Sequence, residues 1–357
     1  MNHFTFHSEF ESGRSLEFNP TYVQPLGVTD LRALQQNNAT ALQMQLVATD
    51  PLVDGKKQIG LATIKTRIMF SEPPTVFSLV KGGWLPLPFA IPPRFLVDRN
   101  VVISLRKLRL GQTVLNGQAL VWWTKLFEEG SAQFNPLPYA FEAGFRRKPT
   151  MAEFMIAYDE GVMELRASLP KCTIIHFEEA HYRAAYAQLE ALDRRANCES
   201  AFLLRVCPLI AERLPRHKEQ DVLRAILNVA DKNHVARSSL VVLAVLSCLF
   251  EDVHGELPLI GREIIKPNKN YTMAEAYNAI SDLRHMELAA AGQIFFQEEA
   301  FSLCTCDQAI ALFWSALSIR GESQGNDVIH LTFDLTTELF PRLSTTELLQ
   351  LEAQLAA

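Results

Sequence analysis

Two stretches near the start of the chain, Leu42 to Val47 and Ile59 to Phe70, alternate imperfectly between apolar and polar residues. That period of two is the signature of half-buried strands. Asp54-Gly55 lies between them, a pair suited to a tight hairpin turn. The first ninety residues therefore read as mostly β. Gly82-Gly83-Trp84 is then followed by Pro86, Pro88, Pro92 and Pro93. Proline at that density continues neither a sheet interior nor a helix, so a domain junction is expected there.

Beyond the prolines the period changes. Phe95-Leu96-Val97 is a short apolar run ending on Asp98, and helical spacing follows over 101–110 and 113–128. A third helix opens within 136–147. Thr150-Met151-Ala152-Glu153 is a capping box, which starts a fourth helix ending before Pro170. Residues 172–177 read as a buried strand. Helices are expected over 179–196, 199–213, 217–231 and 238–251. The apolar run from Leu240 to Phe250 is too short to span a bilayer and reads as a buried helix. A second capping box at Thr272 opens a helix to about Ala291. A strand over 301–306, a helix over 308–318, a last strand over 328–334 and a terminal helix capped by Ser344 complete the pattern.

Strands separated by helices predict a parallel sheet with crossover connections. The expected class is α/β, with a β-rich N-terminal domain over residues 1–90, a second domain over 91–357, and a long helical insertion at about 179–260. At 357 residues, 48% hydrophobic and 21% charged, the chain has ample material for a core. The net charge of −6 excludes a bulk polycation, so any nucleic-acid contact must rest on a local basic patch. No basic, apolar leader pattern is seen at residues 1–7. Six scattered cysteines without a CxxC pair suggest reduced thiols, and a cytoplasmic location is the expectation. Cys304 and Cys306 would point to opposite faces of a strand, a poor geometry for a shared metal.

Two apolar strands end directly on an aspartate, at Asp98 and Asp307. In open parallel sheets, ligands bind outside the carboxyl ends of the strands. Two carboxylates there repel unless a cation lies between them, and hard oxygen donors suit Mg²⁺ or Mn²⁺. Each aspartate by itself also fits a turn former or helix N-cap. Glu153 and Glu275 are accounted for by their capping boxes. Asp282 lies mid-helix, where Asp is a poor helix former; Glu287 is its reserve. His176, His234 and His285 read as satisfied structural histidines, and Trp122-Trp123 as core or interface. His3 and His7 stand four apart where no helix is indicated. There is no GxGxxG, P-loop, GxSxG or HExxH.

From about residue 94 to 335 the chain resembles the PIN-domain superfamily of metal-dependent nucleases, which have a small parallel α/β/α sheet. The resemblance rests on Phe95-Leu96-Val97-Asp98-Arg99-Asn100, on Glu142 within residues 138–144, on Asp282 within 281–291, and on Thr305-Cys306-Asp307. It implies that Asp98, Glu142, Asp282 and Asp307 are catalytic and ligate Mg²⁺ or Mn²⁺. It also implies that the substrate is RNA. The gap from Glu142 to Asp282 exceeds the family's usual one by the helical block. Asp282 falls inside the helix opened at Thr272, whereas the family places this acid near a helix start. Either that helix breaks around Ser281, or this ligand is displaced.

Basic residues accompany the acids. Arg99, Arg106, Arg146, Arg147 and Arg284, with Thr305, are the candidate substrate-binding residues, since phosphate contacts come mainly from such groups. The expected function is a divalent-metal-dependent ribonuclease. The alternatives are a catalytically inactive PIN-like binding or scaffolding protein, and a toxin or defence component. A protein partner or inhibitor and a homodimer stay open. No membrane association is expected.

Overall fold

The computed structural model describes residues 6–9, 15–37, 41–70, 72–90, 94–115, 117–129, 132–142, 144, 147–252, 260–295, 301–324 and 328–356. His3 and Arg146 lie outside the described residues, as do the side chains of His7, Trp122 and Trp123.

The chain folds as a mixed α/β protein around a six-stranded sheet. Its strands run in the order Thr173–Ile174, Gln133–Asn135, Arg94–Val97, Ser302–Thr305, Phe77–Val80 and Gly83–Pro86. The first four are mutually parallel, with Phe95 opposite Phe134 on one side and opposite Ser302 on the other. The last two form an antiparallel hairpin joined to Ser302–Thr305, with Leu79 opposite Leu303. The boundary expected at residue 90 thus runs between strands of one sheet, because the 77–86 hairpin supplies its edge. Trp84 ties in the preceding segment as well. It exchanges backbone hydrogen bonds with Leu26 and donates its indole N–H to the Gly27 carbonyl. Gly83 permits this approach, since a Cβ there would run into the Leu26 carbonyl oxygen.

Side chains alternate across the central strand. Phe95 packs with Phe127 and Phe134 at ring separations of 5.5 and 5.2 Å. Leu96 faces the other way, into a cavity of about 700 Å³ walled by the helices Glu179–Val206 and Met273–Phe295 and by Leu331 and Phe333. The helices Arg99–Arg109, Leu137–Glu142 and Met151–Ser168 pack on one another.

The N-terminal part holds the expected strands. Ala41–Thr49 pairs antiparallel with Leu61–Met69, and Asp54-Gly55 closes a two-residue turn with φ of 51° and 72°. Positive φ at both centres is the mirror-image turn that matches strand twist. Along Ala41–Thr49 the residues Leu42, Met44, Leu46 and Ala48 are buried alternately.

Capping boxes form at Thr150 with Glu153 and at Thr272 with Glu275, and Ser344 with Glu347 repeats the pattern. Other boundaries moved. The two helices expected over 179–213 are one, Glu179–Val206, because nothing before Pro208 breaks the backbone ladder. The strand over 172–177 shrinks to Thr173–Ile174. Val328–Asp334 does not join the main sheet; it pairs with Ser318–Gln324 as a separate hairpin. The apolar helix Leu240–Leu249 is buried at all ten positions. No helix among the described residues is long and apolar enough to cross a membrane.

Candidate active site

Strand order places the site. From Arg94–Val97 the chain steps outward to Gln133–Asn135 and Thr173–Ile174, then returns on the other side as Ser302–Thr305. The order reverses between Arg94–Val97 and Ser302–Thr305, which makes that point a topological switch with a crevice beyond the strands' carboxyl ends. Asp98 follows the first of these strands and Asp307 closely follows the second.

Both aspartates begin helices. Asp98 accepts from the Arg99 amide at 2.6 Å, and Asp307 accepts from the Ala309 and Ile310 amides at 2.7 and 3.3 Å. The N-cap role and a place at the site are therefore compatible. Asp98 is held further. Its second oxygen accepts from the hydroxyl of the fully buried Thr305 at 2.8 Å. That hydroxyl accepts in turn from Asn100 Nδ2 at 3.3 Å and from the Asp307 amide at 3.0 Å. Asn100 Oδ1 accepts from the Cys306 amide at 2.9 Å. One threonine and one asparagine thus lock the ends of two neighbouring strands together.

Asp282 arrives differently from either expectation. The helix Met273–Phe295 runs unbroken, and its middle passes the strand ends. Burial, then Asp307, Asp98 and Glu142, all push the Asp282 carboxyl well above the usual carboxylate range, with Lys266 opposing. Glu142 ends the helix Leu137–Glu142, and burial and Asp98 push it up to about 7 against the pull of Arg99. Asp282 is thus opposed by the other three acids picked from the sequence, and Glu142 by Asp98.

His285, one turn beyond Asp282, is buried, and Nδ1 lies 3.8 Å from Asp98 Oδ1. Neither ring nitrogen has a hydrogen-bond partner in good geometry, the nearest approach being to the Pro138 carbonyl and Asp98. Burial lowers its pKa, against Asp98 and the Pro138 carbonyl. The spacing of three from Asp282 was the available signal, since it puts both residues on one helix face. Cys306 is pushed up to about 12 by burial, so its thiol stays protonated.

The donor chemistry is that of hard oxygen ligands, carboxylates partly removed from water. Among the described residues, no group of three or more His, Cys, Asp or Glu side chains is placed so that it could hold a metal ion as the structure stands.

The expected substrate-binding residues fare less well. Arg106 lies 3.7 Å from Glu160 and from Glu164, on the outer side of its helix. Arg147 makes paired bonds of 2.9 and 2.7 Å with Glu153, completing the helix cap rather than the site. Arg284 is buried, donates to the Leu192 carbonyl, and lies 3.6 Å from Asp193. Thr305 is inaccessible and orients Asp98 instead. Among the described candidates, Arg99 stays beside Glu142, its guanidinium 5.2 Å from the Tyr139 ring centre. Gly144 makes room for it, since a Cβ there would lie 2.8 Å from Arg99 Nη2.

Asp307 opens onto a cleft of about 600 Å³, which Asn100, Ser104, Lys107, Val114 and Lys266 also line. No family model matches the chain, and neither a curated protein nor a solved structure matches it.

Proposed function

We propose that this chain is a divalent-metal-dependent nuclease of PIN type that cleaves RNA. A single observation carries the reading. Asp98, Glu142, Asp282 and Asp307 come from four separate segments, yet Asp282 is opposed by the other three and Glu142 by Asp98, near the carboxyl ends of the parallel strands at their switch point. Such an arrangement costs stability unless a cation offsets it. The three-layer α/β/α form implied by the resemblance agrees with helices lying on both faces of Arg94–Val97.

Asp98, Asp282 and Asp307 would hold Mg²⁺ or Mn²⁺, with Glu142 completing the set. The cation supplies Lewis-acid polarisation of the scissile phosphate and activation of the attacking water. The chain's own residues do the rest. Thr305 and the Arg99 amide fix the Asp98 carboxylate in one orientation, so little reorganisation is needed when substrate arrives. Without the cation, burial and Asp98 push Glu142 up to about 7, and a bound cation would favour its ionised form. Arg99 offsets charge beside Glu142.

The test is cleavage of a labelled RNA in Mn²⁺ by the purified protein and by the Asp98→Asn, Asp307→Asn variant. Cleavage by the first alone supports the reading. Equal cleavage by both, or none by either, overturns it, and the second result favours an inactive binding or scaffolding protein.

A further inference from the structure

The arginines chosen from the sequence are mostly taken up within the fold, by Glu160, Glu164, Glu153 and the Leu192 carbonyl. Lys107 and Lys266 are different. Both are exposed, both line the cleft beside Asp307, and neither has an ion-pair partner among the described residues. They come from opposite sources. Lys107 is in the last turn of Arg99–Arg109, the helix that Asp98 starts. Lys266 directly follows Ile260–Ile265, the short helix at the end of the helical insertion.

Several features fix Lys266 in place. Its backbone has φ of 51°, and its amide donates to the Arg262 carbonyl at 2.8 Å. The left-handed region disfavours a side chain, so a glycine would have been the easier choice here. The preceding helix packs on Leu240–Leu249 and on Gln308–Ala316. Gly261 allows the contact, because a Cβ would meet the Ala244 carbonyl oxygen and lie 2.8 Å from Ser247 Cβ. Lys266 also acts on Asp282, where it opposes the three other acids. The insertion therefore ends at the carboxylates and forms one wall of the cleft.

We infer that Lys107 and Lys266 form a two-sided phosphate clamp for the single nucleic-acid strand that enters the carboxylate site, with the helical insertion supplying one jaw. This rests on the nuclease reading. Asp307 and Glu263 are the acids that line the cleft and Lys107 and Lys266 its cations, so a cation at Asp307 would hold the reacting phosphate while the lysines take its neighbours. Val76, Val114 and Leu115 add apolar surface for base faces between them. The volume of about 600 Å³ falls within that of pockets sized for small ligands, about 300–1,000 Å³, so it suits a short stretch of one strand.

The experiment measures binding separately from cleavage. In the Asp98→Asn, Asp307→Asn background, anisotropy of a labelled twelve-nucleotide single-stranded RNA is followed across a salt series. Lys107→Gln and Lys266→Gln are added singly and together, with Lys232→Gln as a distant control. Each clamp replacement is expected to weaken binding about three- to tenfold and to lower the salt slope by about 0.7. Arginine at either position should retain the slope. Unchanged affinity and slope in the double variant, or an effect equal to that of Lys232→Gln, overturns the clamp whatever the cleavage result. Lysine-dependent binding in a protein whose wild type cleaves no RNA in Mn²⁺ keeps the clamp and overturns the nuclease reading.

Discussion

Replacing Thr305 by valine isolates the residue that ties the site together. Valine keeps the branched shape and puts a methyl where the hydroxyl stood at this fully buried position, so the hydroxyl's bonds are what is lost. The hydroxyl donates to the Asp98 carboxylate at 2.8 Å and accepts from Asn100 at 3.3 Å and from the Asp307 amide at 3.0 Å. A hydrogen bond to a charged group contributes about 1.5–3 kcal/mol and a neutral one about 0.5–1.5 kcal/mol. The neutral partners lie nearer the cleft and regain part of their loss from water, so the expected cost is about 2–4 kcal/mol. Serine retains the hydroxyl and loses one methyl, at a cost of about 0.8 kcal/mol. The assay is urea unfolding in EDTA followed by tryptophan fluorescence. Trp84 and Trp314 are both fully buried, and Trp314 donates to the Val80 carbonyl at 2.7 Å, so both report on the central sheet. A valine variant within about 0.5 kcal/mol of wild type, or a serine variant as unstable as valine, would refute the reasoning.

Two further outcomes follow from the same geometry. Asp282→Asn removes the carboxyl that its three neighbours oppose, so it should raise stability in EDTA by about 0.5–2 kcal/mol, the range of one stabilising replacement, and abolish any rise in Tm with Mn²⁺; lower stability in a thermal melt would contradict this. Gly261→Ala forces the helix Ile260–Ile265 away from Ala244 and Ser247, at a cost of about 1–3 kcal/mol, and should weaken RNA binding by carrying Lys266 with it; a melt and an affinity both equal to wild type would show that the backbone contact does not position the jaw.

Much of the local architecture was written in the chain. The capping boxes at Thr150 and Thr272 fixed helix starts because a side chain there satisfies amides that have no partner within the helix. The alternation over Leu42–Val47 became the strand Ala41–Thr49, and Asp54-Gly55 formed the expected tight turn, although that turn joins Leu52–Val53 to Lys56–Lys57 in a separate sheet. Asp98 and Asp307 are both N-caps, one of the two roles the sequence left open, and capping does not take either away from the strand ends. Other features were not legible. The proline run suggested a boundary, but Phe77–Val80 finds its partner more than two hundred residues later, at Ser302–Thr305. Pairing over that distance leaves no periodic trace in either segment.

The basic residues show the same division. From sequence, an arginine near an acid looks free for substrate; only the fold reveals that Arg106, Arg147 and Arg284 are engaged elsewhere, and that Lys107 and Lys266 face the cleft. The sequence by itself determined the α/β class and most of the helix starts, because those follow from hydrogen-bonding rules and apolar periods that act within a few residues. Tertiary structure alone decided that an unbroken helix brings Asp282 to the strand ends, that the N-terminal hairpin completes the sheet, and that the insertion ends as a wall of the cleft. Those outcomes depend on which distant surfaces bury one another, and the free energy of that burial belongs to pairs of segments, not to either segment alone.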